Sequence, residues 1–346
     1  IHLTADNASN PEMLERFIDF IKLNGLNSII IDINESGWLL GDWAGAQKIT
    51  ARLLAACINP IGRFVVFKAD ESWMHDVNTK YREIPELLRD NRGVVWRDRG
   101  KNPWLNPLSE MAQKMILDLM AGVAEVGFRT IQMDYLRFPT DGSREFPIQS
   151  IKYHDDRRNE VDVTPEIKSA IINSFTRRAY RSLKQKHPTV RVAVDLFGYS
   201  ALITDKRDPS GNGQDIREIA RNTDEIVSMA YPGLFDPGYQ CDIPAKCPDK
   251  VIRAALTKTN AYLKADYPGL QFCAYLQAFT VESRKTKVTI PYGPREIRTQ
   301  IEEAEKAGVT CWYLWNPVKL EGARKKFPFQ PEFFPPAVRR GLATKQ

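Results

Sequence analysis

The chain has 346 residues, 43% of them hydrophobic and 27% charged, with a net charge of +6 and a pI of about 8.9. This balance excludes a disordered chain, and no run nears the roughly 18 apolar residues of a membrane span. Lys and Arg are scattered, and runs such as RKTK and ARKK are short. They read as solvated helix faces and argue against a nucleic-acid partner.

The chain opens at Ile1 without Met, directly in strand-like residues. We read this as a trimmed start and expect a secreted, periplasmic or cell-envelope protein whose signal peptide has been removed. Residues 1–5 form a short strand, followed by an amphipathic helix over 11–25 and strands at 27–34 and 63–69 that flank a helix at 46–58. After a long insertion come a helix over 107–127, a strand at 130–136, a polar loop and a helix over 165–187. The remaining strands are 191–197, 225–231, 270–277 and 310–315, with helices at 215–222, 248–265 and 293–308 between them. The strands are short, apolar and rich in β-branched residues, as buried parallel strands are. Gly25, Gly127 and Gly308 each stand where a helix stops before the next strand.

Eight strands alternating with seven helical stretches predict a (β/α)8 TIM barrel. An open doubly wound sheet would want a Gly-rich phosphate turn after an early strand, and LTADNASN offers none. We expect a single domain over residues 1–330 with a surface tail at 331–346. The strand-to-helix loops (35–45, 70–106, 137–164, 198–214, 232–247, 278–292) are long and the opposite turns short, so the working face lies at the strands' C-terminal ends. The seven Trp fall in those loops or in the eighth strand. Together with Tyr and Phe at the strand ends they suit stacking on sugar rings. Trp312 and Phe197 read equally well as caps on the barrel core.

A carboxylate in an apolar strand costs free energy unless it is paired or used. Asp134 in TIQMDYLRFPTDG ends the fourth strand and Asp195 in VAVDLFGY ends the fifth. Adjacent strands lie about 4.8 Å apart, which suits the carboxyl separation of about 5–5.5 Å in retaining glycosidases. One carboxylate would attack the anomeric carbon, and the other would protonate the leaving oxygen. Like charge would raise the pKa of one. The bland reading makes Asp134 an ion-pair partner of Arg137 and Asp195 a loop cap. Two such residues at the mouth favour function. Asp32, Glu35, Trp38, Lys68, Tyr135, Arg137, Tyr199, Tyr231, Tyr239, Gln277 and Trp315 are candidates for substrate binding, and Asp236 is a reserve acid on the sixth strand's loop.

None of the four His forms a His-x-His or i, i+4 pair, so no metal is expected. No Gly-x-Ser-x-Gly elbow or phosphate cradle is visible, and no cofactor is expected. Cys273 and Cys311 read as buried packing residues, and Cys57 sits at a helix end. For Cys241 and Cys247 a local disulfide is favoured over two free thiols, and it would point to an oxidising compartment.

Taken in order, SIIIDINESG, RFVVFKADE, NPWLNPLSE, GFRTIQMDYLRFPTDG, VAVDLFGY, MAYPGLF, AYLQAF and YGPREIRTQIEEAEKAGVTCWYLWNP resemble the "putative glycoside hydrolase domain" family with a TIM-barrel fold, distantly akin to the α-amylase type. The likeness runs over about residues 1–320. It implies a secreted or envelope enzyme acting on a polysaccharide, with Asp134 as nucleophile and Asp195 as acid/base. Amylase-type barrels usually carry Glu on strand five and Arg two before the nucleophile, where this chain has Asp195 and Gln132. Family members often show Lys-Asp after the strand-two Asp, where this chain has Asn34 and Glu35. The expectation is an endo-acting, retaining glycosidase. The rivals are a non-catalytic carbohydrate-binding barrel and a polysaccharide lyase or deacetylase.

Overall fold

The computed structural model describes residues 1–34, 43–69, 86–204, 211–283 and 286–316. Eight parallel strands form one sheet in chain order: β1 (His2–Leu3), β2 (Ser28–Asp32), β3 (Asn59–Val65), β4 (Thr130–Asp134), β5 (Arg191–Leu196), β6 (Glu225–Met229), β7 (Gln271–Gln277) and β8 (Cys311–Trp315). Each strand hydrogen-bonds to the next, and β1 returns against β8, so the sheet curls into a nearly closed TIM barrel. The helices α1 (Pro11–Leu23), α2 (Trp43–Ala55), α3 (Glu110–Glu125), α4 (Pro165–Lys186), α5 (Ile216–Ala220), α6 (Pro248–Asp266) and α7 (Pro294–Lys306) alternate with the strands.

Local chemistry starts and stops these helices. The side chains of Asn10, Ser109, Thr164 and Asp215 accept backbone N–H groups at the first turns of α1, α3, α4 and α5. Pro11, Pro165, Pro248 and Pro294 stand at helix starts, where the missing N–H is harmless. Gly25, Gly127 and Gly308 all adopt the left-handed conformation at helix exits.

The main apolar core lies between strands and helices, where Phe17, Phe64, Phe128 and Phe175 are wholly buried. A second cluster fills the barrel lumen from Ile30, Ile61, Ala193, Val227, Cys273, Tyr275 and Tyr313. Within the lumen Cys273 and Cys311 are register partners on β7 and β8 and form a disulfide. The packing role read from the sequence therefore gives way to a covalent bond between neighbouring strands. Cys241 and Cys247 form a second disulfide, and Cys57 is a free, exposed thiol.

The third strand differs from its sequence reading: it runs over Asn59–Val65 rather than 63–69. Pro60 and Gly62 disguise its start. A Cβ at Gly62 would stand 2.9 Å from Val123 of α3, so this strand needs glycine where the helix packs closely. The shift places Arg63 well inside the strand and Lys68 beyond its end. The loops above the barrel carry short added sheets. One joins Arg89–Asp90, Ile151–His154 and Glu160–Val161; another pairs Val281–Glu282 with Thr289–Ile290. The tail expected at 331–346 lies outside the described residues.

Candidate active site

Strand register sets the height of each polar side chain. Asp32 on β2 partners Arg63 on β3, Arg63 partners Gln132 on β4, and Gln132 partners Ala193 on β5. Residues two apart on a strand share a face, so Asp134 and Asp195 stand one inward step above Gln132 and Ala193. The pair Met133–Val194 lies directly below them. Asp134 and Asp195 border one cavity of about 210 Å³ at the strands' C-terminal ends, together with Arg63, Tyr135, Arg137, Phe197, Gln214, Met229, Tyr231, Tyr275, Phe279 and Trp315.

The two carboxylates sit in opposite surroundings. Arg63 Nε donates to Asp134 Oδ2 at 2.9 Å, and its second terminal nitrogen pairs with the same oxygen. Asp134 Oδ1 accepts the Tyr135 N–H at 2.6 Å. Arg63 Nη1 donates to Asp32 Oδ1 at 2.6 Å, and Asp32 Oδ2 lies 2.8 Å from His2 Nε2. A buried line of polar contacts thus runs His2–Asp32–Arg63–Asp134. Trp315 covers it, with the Arg63 guanidinium 4.7 Å from its ring centroid. Burial opposes ionisation of Asp32, but His2 and Arg63 outweigh it and hold the carboxyl well below the usual range.

Asp195 is 1% exposed, and neither of its oxygens has a hydrogen-bond partner among the described residues. Burial first, then the charges of Asp134 and Glu225, push its carboxyl well above the usual range, with Arg63 opposing in part. The Gln132 amide lies beside it, fixed by the Tyr275 hydroxyl, which donates to Gln132 Oε1 at 2.8 Å. Gln214 ties the strand ends together. Its Nε2 donates to the carbonyls of Asp195 (3.0 Å) and Leu136 (3.3 Å), and its Oε1 accepts the Phe197 N–H (2.9 Å).

The ion-pair partner of Asp134 is therefore Arg63, not Arg137. Arg137 instead lies 5.1 Å from each of the Trp104 and Tyr135 ring centroids. Tyr135 holds a φ of 50°, a left-handed backbone unusual for an aromatic residue. Lys68 donates to its hydroxyl at 3.3 Å and stands outside the cavity lining.

Tyr231 and Trp315 border the cavity, whereas Asp32 lies behind Arg63. Gln277 is fully buried, and its side chain is committed to backbone: Oε1 accepts the Gly233 N–H (2.8 Å) and Nε2 donates to the Phe279 carbonyl (2.9 Å). It braces two loops instead of facing the cavity. Tyr199, Asp236 and Tyr239 form a cluster beside the cavity. Asp236 Oδ2 accepts the Tyr199 hydroxyl at 3.1 Å, and Tyr239 stacks on Phe235 at 4.5 Å. Asp236 is exposed and does not border the cavity. Glu35 and Trp38 lie outside the described residues.

The Trp set divides. Trp96 and Trp104 are fully buried, Trp43 begins α2, and Trp312 packs on the outer core. Among the described residues only Trp315 of the seven reaches the cavity. Arg63 and Gln214 are site residues that the sequence reading missed. The signal for Arg63 was an arginine flanked by apolar strand residues, a cation that needs buried partners.

No curated protein matches this sequence. Among solved structures the chain is similar to the PgaB (BpsB) glycoside hydrolase domain from Bordetella bronchiseptica, with 14% identity and a TM-score of 0.59 over 91% of this chain and 93% of that one. It is also similar to a β-galactosidase from the psychrophilic Marinomonas ef1 (11% identity, TM-score 0.60, 92% and 54% covered). A third likeness is to the glycoside hydrolase domain of PelA from Pseudomonas aeruginosa (12% identity, TM-score 0.51, 91% and 93% covered). At these identities the likeness is one of fold. The family model DUF4015, described as "Putative glycosyl hydrolase domain", matches residues 1–320, and the chain belongs to that family.

Proposed function

We propose that the protein is a retaining glycoside hydrolase that cleaves a polysaccharide internally, with Asp134 as nucleophile and Asp195 as acid/base. The observation that carries this reading is the division between two carboxyls bordering one cavity: Asp134 is ion-paired to Arg63, while Asp195 is buried, has no hydrogen-bond partner within 3.5 Å among the described residues and is pushed toward its protonated form. That is the pairing a double displacement uses. A lone pair of Asp134 forms a bond to the anomeric carbon as the glycosidic C–O bond breaks, and the leaving oxygen takes the Asp195 proton. Asp195, now a carboxylate, takes a proton from water. The water oxygen bonds to the anomeric carbon and releases Asp134.

Tyr231, Phe279 and Trp315 would form the walls against which the sugar rings stack. The adjacent Tyr199–Tyr239 cluster would extend the groove beyond the cleavage point. The family description and the shared fold of glycoside hydrolase domains support the reading. Two disulfides support an oxidising, extracytoplasmic location.

The test is reducing-end release from a polysaccharide panel by the native chain, Asp134→Asn and Asp195→Asn, with the anomer of the fresh end followed by NMR. Release with retained configuration, abolished in both variants while folding persists, is the expected result. Release that survives both substitutions overturns the site. An inverted product overturns the double displacement.

A further inference from the structure

The cavity walls differ in character. Phe197, Met229, Tyr231, Leu234 and Phe279 make the β5–β7 side apolar, whereas the β3–β4 side presents Arg137. Arg137 is half-buried, and none of its nitrogens is within ion-pair distance of a carboxylate among the described residues. Among the described residues its hydrogen bonds run from Nη1, to the Phe138 carbonyl at 3.1 Å and to Thr140 Oγ1 at 3.3 Å, and Nε and Nη2 meet no acceptor there.

The guanidinium is nonetheless held in place. It rests on Trp104, itself fully buried and anchored through Nε1 to Asp98 Oδ2 at 3.2 Å, and on Tyr135, whose φ of 50° fixes the turn directly after Asp134. Lys68 lies over the same Tyr135 ring at 4.5 Å, and the Asp98 carboxylate is 3.9 Å from it. A fixed guanidinium fork with a free edge beside a sugar-sized cavity is the arrangement that recognises a planar carboxylate. A carboxylate there would supply the counter-charge that the described residues do not.

We propose that Arg137, reinforced by Lys68 through Tyr135, binds a carboxylate carried by a sugar ring, so that the substrate is an acidic polysaccharide of the polyuronate type. This rests on the hydrolase reading only in taking the cavity to be a sugar site. The overall charge of +6 is of the sign that favours such a polymer.

The experiment measures binding without turnover. Asp195→Asn, which breaks no ion pair, is titrated with polygalacturonate, alginate and hyaluronan, and with the same polymers after their carboxyls have been reduced to primary alcohols. At least one acidic polymer should bind roughly tenfold or more tightly than its reduced form, the scale of a hydrogen bond to a charged group. Adding Arg137→Gln should bring that ratio to about one, whereas Arg137→Lys should keep part of it. No preference for any of the three, or a preference that Arg137→Gln leaves intact, overturns the proposal. Preferential binding without hydrolysis by the native chain would sink the hydrolase reading alone. Hydrolysis of neutral polymers without acidic preference would sink this inference alone.

Discussion

Replacing Arg63 with Met tests the charge line beneath the cavity. Arg63 is 7% exposed and serves two carboxylates that are equally buried, Asp32 and Asp134. Met keeps much of the volume and removes the charge. Breaking a buried pair by deleting one partner costs about 3–5 kcal/mol, because a charge is left uncompensated. Here two carboxylates lose their cation, although His2 still faces Asp32, so we expect about 4 kcal/mol or more near pH 7. The pH dependence follows from Asp32. Its folded-state pKa is depressed, so the stabilisation is fully present above its unfolded value of about 3.9 and is lost as pH falls through the folded value. In Arg63→Met the Asp32 carboxyl would instead accept a proton. The deficit relative to the native chain should therefore shrink as pH falls below about 4. Urea unfolding of both proteins at pH 7, 5 and 3 measures it. A cost under about 1 kcal/mol at pH 7, the range of an exposed pair, or a deficit undiminished at pH 3, would refute the argument.

The folded-state pKa of Asp195 is raised, so its contribution has the opposite sign: it favours the fold below the unfolded value and is lost as pH rises through the folded value. Asp195→Asn should thus be more stable than the native chain on the alkaline side, seen as a higher Tm at pH 8–9, and equal Tm values there would refute it. On the proposed mechanism, the same titration in the native chain should set the alkaline limb of kcat/KM. Gln214→Ala frees the Asp195 and Leu136 carbonyls and the Phe197 N–H. It should cost roughly 1–3 kcal/mol and lower kcat more than it raises KM, which steady-state kinetics and unfolding curves would check. Removing the lumen disulfide, which closes a separation of 38 residues, should cost about 4 kcal/mol by chain entropy, against about 2 for the Cys241–Cys247 bridge with a separation of 6. Unfolding of the two double-Ala variants gives the order, and a reversed order would show that strand packing, not loop closure, sets the difference.

Most of the barrel was legible because buried parallel strands and amphipathic helices have different periods, and the alternation survives even where boundaries slip. The third strand slipped because Pro60 and Gly62 are poor strand formers, although both lie within it and Gly62 accommodates a helix. That single slip hid the inward-facing Arg63 and left Asp134 to be matched with Arg137, its neighbour in sequence. Partners across strands depend on register, and register is a property of pairing that no local pattern states. The same limit explains the disulfide: Cys273 and Cys311 are 38 residues apart but directly opposed. The Trp residues were over-read because an aromatic residue in a loop sequence is as ready to fill a small loop core, as Trp96 and Trp104 do, as to line a groove.

Register also accounts for the division between the two carboxyls. Two residues before Asp134 stands Gln132, and a cation arrives at the height of Gln132 from the neighbouring strand β3, as Arg63. The neighbour of Asp134 on that side is therefore positive. Asp195 has Asp134 on one side and, on β6, a strand whose inward carboxylate Glu225 is the register partner of Ala193. Glu225 is itself buried, accepts the Tyr313 hydroxyl at 2.7 Å and lies 3.7 Å from Arg191, so its charge is only partly offset. One carboxyl thus faces a cation and the other lies between two acids. Moving the cation from β3 to β5 would be expected to exchange which aspartate is ion-paired, since neither differs from the other except in its neighbours.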